Sequence, residues 1–136
     1  MNKKRQLIWD KSKGKCWYCG CELGEKGWHA DHFEPIFREV QYALVDCPIN
    51  GMKGKFTNTC QKPELDTIDN MVPACRACNL FKATFSIEAL RKEISYQVDR
   101  ARKYSVNFRA AERYGLIQVI DKPVEFWFES QVKEEA

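Results

Sequence analysis

The stretch DNMVPACRACNLFK, residues 69–82, decides the fold, because its pair Cys75 and Cys78 has an earlier counterpart in Cys16 and Cys19. Paired thiolates two residues apart can chelate one tetrahedral zinc ion from a tight turn. The gap between the two pairs exceeds the usual spacing of a zinc ribbon. The sequence therefore predicts one structural zinc site with a folded segment between its two halves.

Seven cysteines are present, and Cys16 has two possible partners in the first pair. We favour Cys19, because the glycine that follows it can take the positive φ that lets backbone N–H groups approach the sulfur. That choice leaves three thiols outside the predicted site: Cys21, Cys47 and Cys60.

The length of 136 residues fits a single domain, residues 1–136, with a modest core. No apolar h-region follows the amino terminus, and no stretch approaches the ~20 apolar residues that cross a bilayer. We therefore expect a soluble, cytoplasmic protein with no membrane partner, in which cysteines stay reduced and bind metal.

The formal charge of +3 is unevenly distributed, since the first fifteen residues are strongly basic and the last ones are acidic. A basic surface of this kind fits a polyanion, although a solvated charged face is its commoner meaning. The residues that we predict to contact such a polyanion at this end are Lys11, Lys13 and Lys15.

The hydrophobic pattern predicts a mixed α+β fold. Apolar residues recur at steps of three and four over residues 87–101, which indicates a helix that Ser86 caps. Residues 36–66 contain several Gly and Pro residues, and we interpret them as a long loop with one helical turn near residues 39–45. The other predicted elements are helices at 4–12 and 76–83, a strand at 27–33, and a β-hairpin formed by 116–120 and 124–129.

Both histidines of the chain, His29 and His32, lie in one short block with Asp31. A carboxylate oxygen beside an imidazole suits a second, catalytic metal ion with a base next to it. Strand alternation predicts that His29 and Asp31 share one face and that His32 lies on the other.

These residues together resemble the HNH endonucleases, the ββα-metal nucleases of phages, homing elements and restriction systems. The resemblance covers residues 16–84, and it depends on the order and spacing of four pieces. They are Cys16-x-x-Cys19-Gly20, Asp31-His32-Phe-Glu-Pro35, Asp69-Asn70-Met-Val, and Cys75-x-x-Cys78-Asn79-x-x-Lys82.

The resemblance implies a ββα-metal core with a structural zinc site, followed by the predicted helix and hairpin of residues 86–130. It implies His32 as the general base, Asp31 and Asn79 as ligands of a catalytic Mg²⁺ or Mn²⁺ ion, and Asn70 as the residue that fixes the loop around the histidine. Asn79 stands where many relatives have histidine, which makes this chain an HNN variant. The implied activity is hydrolysis of double-stranded DNA to 5′-phosphate and 3′-hydroxyl ends, in some relatives beside a phage terminase or a restriction complex.

Several roles remain open at this level. His29 either supports the active site, as an additional metal ligand or a phosphate contact, or is an ordinary strand residue. Lys82 lies one helical turn after Asn79 and is either a DNA contact or a solvated lysine, and Asn70 is alternatively a plain turn residue. The rival function is a non-catalytic, zinc-stabilised module that binds DNA or adapts a phage packaging or restriction complex.

Overall fold

The computed structural model describes residues 1–36, 38–44, 52–60 and 62–135, with side chains placed for residues 1–36 and 62–132. Its helices occur together with two small antiparallel sheets, each of two strands. The prediction of an α+β fold is confirmed at this level. Among the described residues, no helix has the length and apolar character that crossing a bilayer requires.

Helix α1 spans Lys3–Asp10 and corresponds to the first predicted helix. The side chain of Asn2 caps it by accepting a hydrogen bond from the backbone N–H of Arg5 at 2.9 Å. Ile8 is its buried residue, and the Arg5 guanidinium lies 3.8 Å from the centre of the Trp28 ring. The helix is therefore anchored beside the start of the first strand.

Strand β1, His29–His32, pairs antiparallel with the later strand β4, Met71–Ala74. The register places Asp31 opposite Val72 and His32 opposite Met71. Every residue of β4 is buried, so this strand lies in the core and β1 covers it. Helix α2, Arg76–Lys82, follows directly and packs near β1.

The segment between these strands differs from the prediction. Strand β2, Arg38–Leu44, and strand β3, Met52–Cys60, form the second antiparallel pair, so the prediction of a long loop with a helical turn was wrong for the described part. Apolar residues at 40, 42 and 44 alternate in the manner of a strand. Nearby Gly and Pro residues, which we interpreted as loop signals, concealed that alternation. Two 3₁₀ turns, Pro63–Leu65 and Ile68–Asn70, lead to β4.

The predicted helix over residues 87–101 is present as two helices, α3 at Ile87–Ser95 and α4 at Gln97–Tyr104. Ser86 caps α3 as predicted, since its hydroxyl accepts from the Ala89 N–H at 3.2 Å. At the break, the Ser95 hydroxyl and the Gln97 amide donate to carbonyls of the last turn of α3. Such side-chain bonds compete with continued helix and let the chain change direction.

The predicted C-terminal β-hairpin is not formed. Helix α5, Val106–Arg113, precedes the segment, residues 117–126 are in neither helix nor strand, and helix α6, Trp127–Glu135, begins within the second predicted strand. The backbone N–H groups of Trp127 and Phe128 donate to the carbonyls of Tyr18 and Trp17 at 2.9 and 3.1 Å. Tertiary contacts with the first cysteine pair therefore replace the hairpin partner that the local pattern suggested.

The hydrophobic core gathers around the cysteines and the β1–β4 pair. The ring of Phe128 stacks on Trp17 at 5.7 Å and meets Phe33 edge-on at 5.3 Å, which attaches α6 to the same core. The buried members are Ile8, Cys16, Tyr18, Leu23, Trp28, Met71, Val72, Ala74, Leu90 and Phe126.

Candidate functional site

Four cysteine sulfurs, from Cys16, Cys19, Cys75 and Cys78, lie within 4.8 Å of one another. The sulfurs of Cys19 and Cys75 are 3.9 Å apart. Two sulfurs bound to one tetrahedral zinc with bonds of ~2.3 Å would be about 3.8 Å apart. The donor set and its spacing therefore fit a metal ion such as zinc, and the cluster consists of the four predicted residues.

Backbone geometry explains how two distant segments form one cluster. The N–H of Gly20 donates to the Cys16 carbonyl at 3.0 Å, and Gly20 has φ of +79°, which few side-chain-bearing residues adopt. In the second pair, the Cys75 sulfur accepts from the Cys78 N–H and so caps helix α2. The Cys75 N–H donates in turn to the Cys16 sulfur at 3.4 Å, which joins the two pairs.

The thiols of the cluster are not equivalent. A hydrogen bond from Cys78, together with backbone N–H donors, lowers the pKa of the buried Cys16 thiol to about 4. The same hydrogen bond and burial raise the pKa of Cys78 far above its usual range, because it holds the shared proton. A lowered pKa at Cys16 favours a cation at this position, since metals bind the thiolate form.

Asp31 lies inside the molecule, next to the cysteine cluster. Its Oδ2 accepts hydrogen bonds from the Tyr18 hydroxyl at 2.5 Å and from the Lys82 ammonium at 3.1 Å. Burial, and then the negative charge of Asp31, raise the pKa of Tyr18 well above its usual range. Among the described residues both contacts fall on Oδ2, so Oδ1 is the carboxylate oxygen that remains for a further ligand.

Lys82 is fully buried, with 0% of its surface exposed. Besides Asp31, its ammonium donates to the carbonyl oxygen of His32 at 2.9 Å. This burial contradicts the prediction that Lys82 contacts DNA, because an ammonium without solvent access does not reach a phosphate. Its role is to neutralise the buried carboxylate and to connect α2 with the end of β1.

The imidazole of His32 contacts a different carboxylate, that of Asp66. Its Nε2 lies 2.8 Å from Oδ1 of Asp66, and 17% of the His32 side chain is exposed. A histidine next to a carboxylate has a fixed ring orientation and tautomer. When Nε2–H donates to Asp66, the lone pair is on Nδ1, which is then the proton acceptor of the ring.

Asn70 holds the loop that follows His32. Its side-chain oxygen accepts from the Glu34 N–H at 3.0 Å, and its amide donates to the Glu34 carbonyl at 2.9 Å and the Leu65 carbonyl at 2.8 Å. These bonds connect the loop after β1 with the turn that carries Asp66. These bonds therefore hold the segment after His32 and the turn with Asp66 in a fixed relative position.

The other predicted residues occupy different environments. Asn79 lies half-buried on α2, in the turn before Lys82, and His29 is exposed at the start of β1. Within the side chains that the structure describes, no group of three or more His, Cys, Asp or Glu residues besides the cysteine cluster is arranged for a metal ion. Asp31, a predicted ligand of a catalytic ion, is therefore not part of such a group.

The three lysines predicted to bind the polyanion, Lys11, Lys13 and Lys15, do not form one free surface. The Lys11 ammonium donates to the carbonyls of Ile68 and Met71 at 2.6 Å each, and burial lowers its pKa although Asp69 acts in the opposite direction. Lys11 therefore stabilises the turn before β4 through these hydrogen bonds. Lys15 is paired with Glu22 at 3.4 Å, and Lys13 is exposed.

Comparison of the chain with family models, with characterised proteins and with solved structures finds no match. The chemistry of the site itself is therefore the basis for inferring a function. Sequence analysis did not identify two residues of the site, Tyr18 and Asp66. Neither carried a signal there, since a tyrosine between two cysteines and an aspartate in a turn are ordinary, and only the fold brings them to Asp31 and His32.

Proposed function

We propose that this chain is a metal-dependent DNA endonuclease of the kind that its motifs resemble, the HNH nucleases. One observation carries the proposal: the His32 ring is partly exposed, oriented by Asp66, and followed by a loop that Asn70 fixes. An imidazole with an orienting carboxylate is the arrangement of a general base. The order of strand, strand and helix around it, β1, β4 and α2, is the order that a ββα-metal core would have.

In the proposed reaction, a water molecule attacks the phosphodiester as it loses a proton to His32 Nδ1. Asp66 keeps the proton of the ring on Nε2 and stabilises the imidazolium that forms. Asn70 prevents the loop from moving during this transfer by holding the backbone of Glu34. The bond from phosphorus to the 3′ oxygen breaks and that oxygen takes up a proton from water, so the expected products are a 5′-phosphate and a 3′-hydroxyl.

The proposed ligands of the catalytic ion are Oδ1 of Asp31 and the side-chain oxygen of Asn79. Oxygen donors favour Mg²⁺ or Mn²⁺ over zinc, which prefers sulfur and nitrogen. When bound, such an ion stabilises the charge that develops on the phosphate and the leaving oxygen. Lys82 holds Asp31 in place, because the ammonium lies 3.1 Å from Oδ2.

The cysteine cluster is proposed to hold a structural Zn²⁺ ion. Its sulfurs join the first cysteine turn to helix α2, and β1 and β4 lie between these two segments. The zinc would therefore fix the distance between His32 on β1 and Asn79 on α2. Its function is to stabilise the site without taking part in the chemistry.

One observation favours the rival function, a non-catalytic DNA-binding or adaptor module. Lys82 already neutralises Asp31, so the carboxylate is stable without a metal ion. In that case the zinc scaffold would bind double-stranded DNA, or act with a phage terminase or restriction complex, and His32 would have no reactive role.

Incubation of the purified chain with supercoiled plasmid tests the proposal. Relaxed or linear plasmid is expected with Mg²⁺ or Mn²⁺ and not with EDTA. His32→Ala should lower the cleavage rate by roughly 10²–10⁴-fold, the usual contribution of a general base. His29→Ala tests the other histidine of the same strand, which is exposed and becomes the candidate base if His32→Ala cuts at the parent rate. Should the chain bind plasmid without cutting it under any metal, the binding module would be the better explanation.

A binding experiment separates DNA affinity from catalysis. With His32→Ala protein, replacing Lys13 and Lys15 by Ala should weaken binding to all duplexes about equally. The slope of log affinity against log salt should flatten by up to ~0.9 for each phosphate that a lysine no longer neutralises. Lys11 is left intact in this test, since its ammonium holds backbone carbonyls. If affinity were high for one DNA sequence only and changed little with salt concentration, base readout would be the better explanation.

A further inference from the structure

Tyr18 connects the first cysteine pair to Asp31. It lies between Cys16 and Cys19 in the chain, and only 3% of its surface is exposed. Its hydroxyl donates to Oδ2 of Asp31 at 2.5 Å. This contact runs from the turn that holds two of the clustered sulfurs to the strand that carries His32. A residue of the cysteine turn therefore touches a proposed ligand of the catalytic ion directly.

Packing fixes the place of that hydroxyl. The Tyr18 carbonyl accepts a hydrogen bond from the Trp127 N–H at 2.9 Å. The Tyr18 ring meets Phe126 edge-on, with the two ring centres 6.1 Å apart. Both neighbours belong to the region where α6 begins. A buried ring that is held at its backbone and at its edge has little freedom, so the hydroxyl donates from a fixed point.

Lys82 reaches the same carboxylate oxygen from the second cysteine segment. It is the last residue of α2, the helix that Cys75 caps, and its ammonium lies 3.1 Å from Oδ2 of Asp31. Each cysteine segment thus supplies one donor to a single oxygen of the carboxylate. Two fixed donors on Oδ2 set the orientation of the carboxylate and leave Oδ1 for a ligand.

We propose that Tyr18 is a positioning residue for the catalytic ion, because its hydroxyl orients Asp31 so that Oδ1 is presented to a divalent cation. The inference rests on the proposed function, since it takes Asp31 as a ligand of that ion. Tyr18 contacts neither the ion nor the substrate and acts through Asp31. Replacing a residue that holds a metal ligand by a hydrogen bond lowers metal affinity or activity by roughly 10–100-fold.

Replacement of the hydroxyl at position 18 tests this role. Tyr18→Phe removes the hydroxyl, para-aminophenylalanine supplies an N–H donor in its place, and para-methylphenylalanine fills the space without a donor. Zinc content and circular dichroism verify the fold of each protein. Binding of Mn²⁺ is measured without DNA, from the electron paramagnetic resonance signal of the free ion. Tyr18→Phe should keep its zinc and bind Mn²⁺ roughly 10–100-fold more weakly than the wild type.

The two analogues separate hydrogen bonding from packing. Para-aminophenylalanine should restore most of the Mn²⁺ affinity, whereas para-methylphenylalanine should not, although both fill the same space. This pair decides the question even if Tyr18→Phe fails to fold. Cleavage gives a further readout: excess Mn²⁺ should recover the activity of Tyr18→Phe, but not that of His32→Ala, which lacks the proposed base. Equal Mn²⁺ affinity of the two analogues would overturn the positioning role.

Asp31→Asn distinguishes failure of this inference from failure of the proposed ion site. It should weaken Mn²⁺ binding at least as much as Tyr18→Phe does. If Asp31→Asn weakens binding and a zinc-loaded Tyr18→Phe does not, the role of Tyr18 is wrong and the ion site stands. If the wild type binds no Mn²⁺, or if neither substitution changes its affinity, the ion site and this inference both fail.

Discussion

The region around the cysteine cluster and the helical pair α4–α5 are stabilised in different ways. The first region contains most of the buried residues, whereas α4 and α5 have none. These two helices are joined by exposed ion pairs such as Arg102 with Glu112, at 2.9 Å. Burial of apolar surface contributes about 25 cal/mol per Å², while an exposed ion pair contributes little. Stability should therefore depend on the first region, and substitutions can test that difference.

The largest effect is expected from loss of the metal. Cys75→Ser removes a sulfur that also caps α2 and contacts the first cysteine pair. Structural zinc binding provides on the order of 10–16 kcal/mol in small zinc domains, so this variant should lose its zinc and its cooperative thermal transition. Circular dichroism melting and zinc content measure both properties. Wild-type protein stripped with EDTA is the control and should behave in the same way. A zinc-free variant with a normal melting curve would contradict a structural role for the site.

The buried ion pair gives the next largest effect. Lys82→Met leaves the carboxylate of Asp31 buried without its cation, which should cost about 3–5 kcal/mol. Urea denaturation measures this loss, and Lys92→Met on the exposed face of α3 is the matched control. Adding Asp31→Asn to Lys82→Met should recover part of the stability, because no charge then remains buried. Equal effects of Lys82→Met and Lys92→Met would show that the pair is unimportant.

Contact between the first cysteine pair and α6 is expected to have a smaller effect. At Gly20, which has positive φ, an added Cβ would lie 2.6 Å from Cδ1 of Trp127. Gly20→Ala should therefore destabilise the protein by about 1–3 kcal/mol through backbone strain and overpacking. Gly24→Ala is the control, since the nearest atom to its Cβ is 3.7 Å away and its φ is not positive. A shift no larger than that of Gly24→Ala would mean that α6 can move away freely.

The smallest effect is expected in the α4–α5 pair. Glu112→Gln removes the carboxylate that Arg102 contacts, but both groups are solvent-exposed. The urea midpoint should stay within experimental error, at low and high salt alike. A destabilisation comparable to that of Gly20→Ala would show that these helices contribute more to stability than their burial suggests.

Much of the site follows from residue type and spacing. The two Cys-x-x-Cys pairs predicted the four clustered sulfurs, and Gly20 indicated Cys19 as a member. Ser86 predicted the start of α3, because an N-cap acts through bonds within its own turn. These features succeed because their physical causes are local: a turn, a cap, or a chelating pair.

Long-range contacts decided the rest. The pattern of residues 116–120 and 124–129 predicted a hairpin. Instead, the backbone N–H groups of Trp127 and Phe128 donate to carbonyls of the first cysteine turn. Lys82 looked like a surface cation until the fold placed it beside Asp31. Residue types and their spacing were enough to predict the four clustered cysteines, the α+β class and the cap of α3. The folded structure was needed to learn which charges are buried and which residues contact His32, because burial and pairing depend on segments that are distant along the chain.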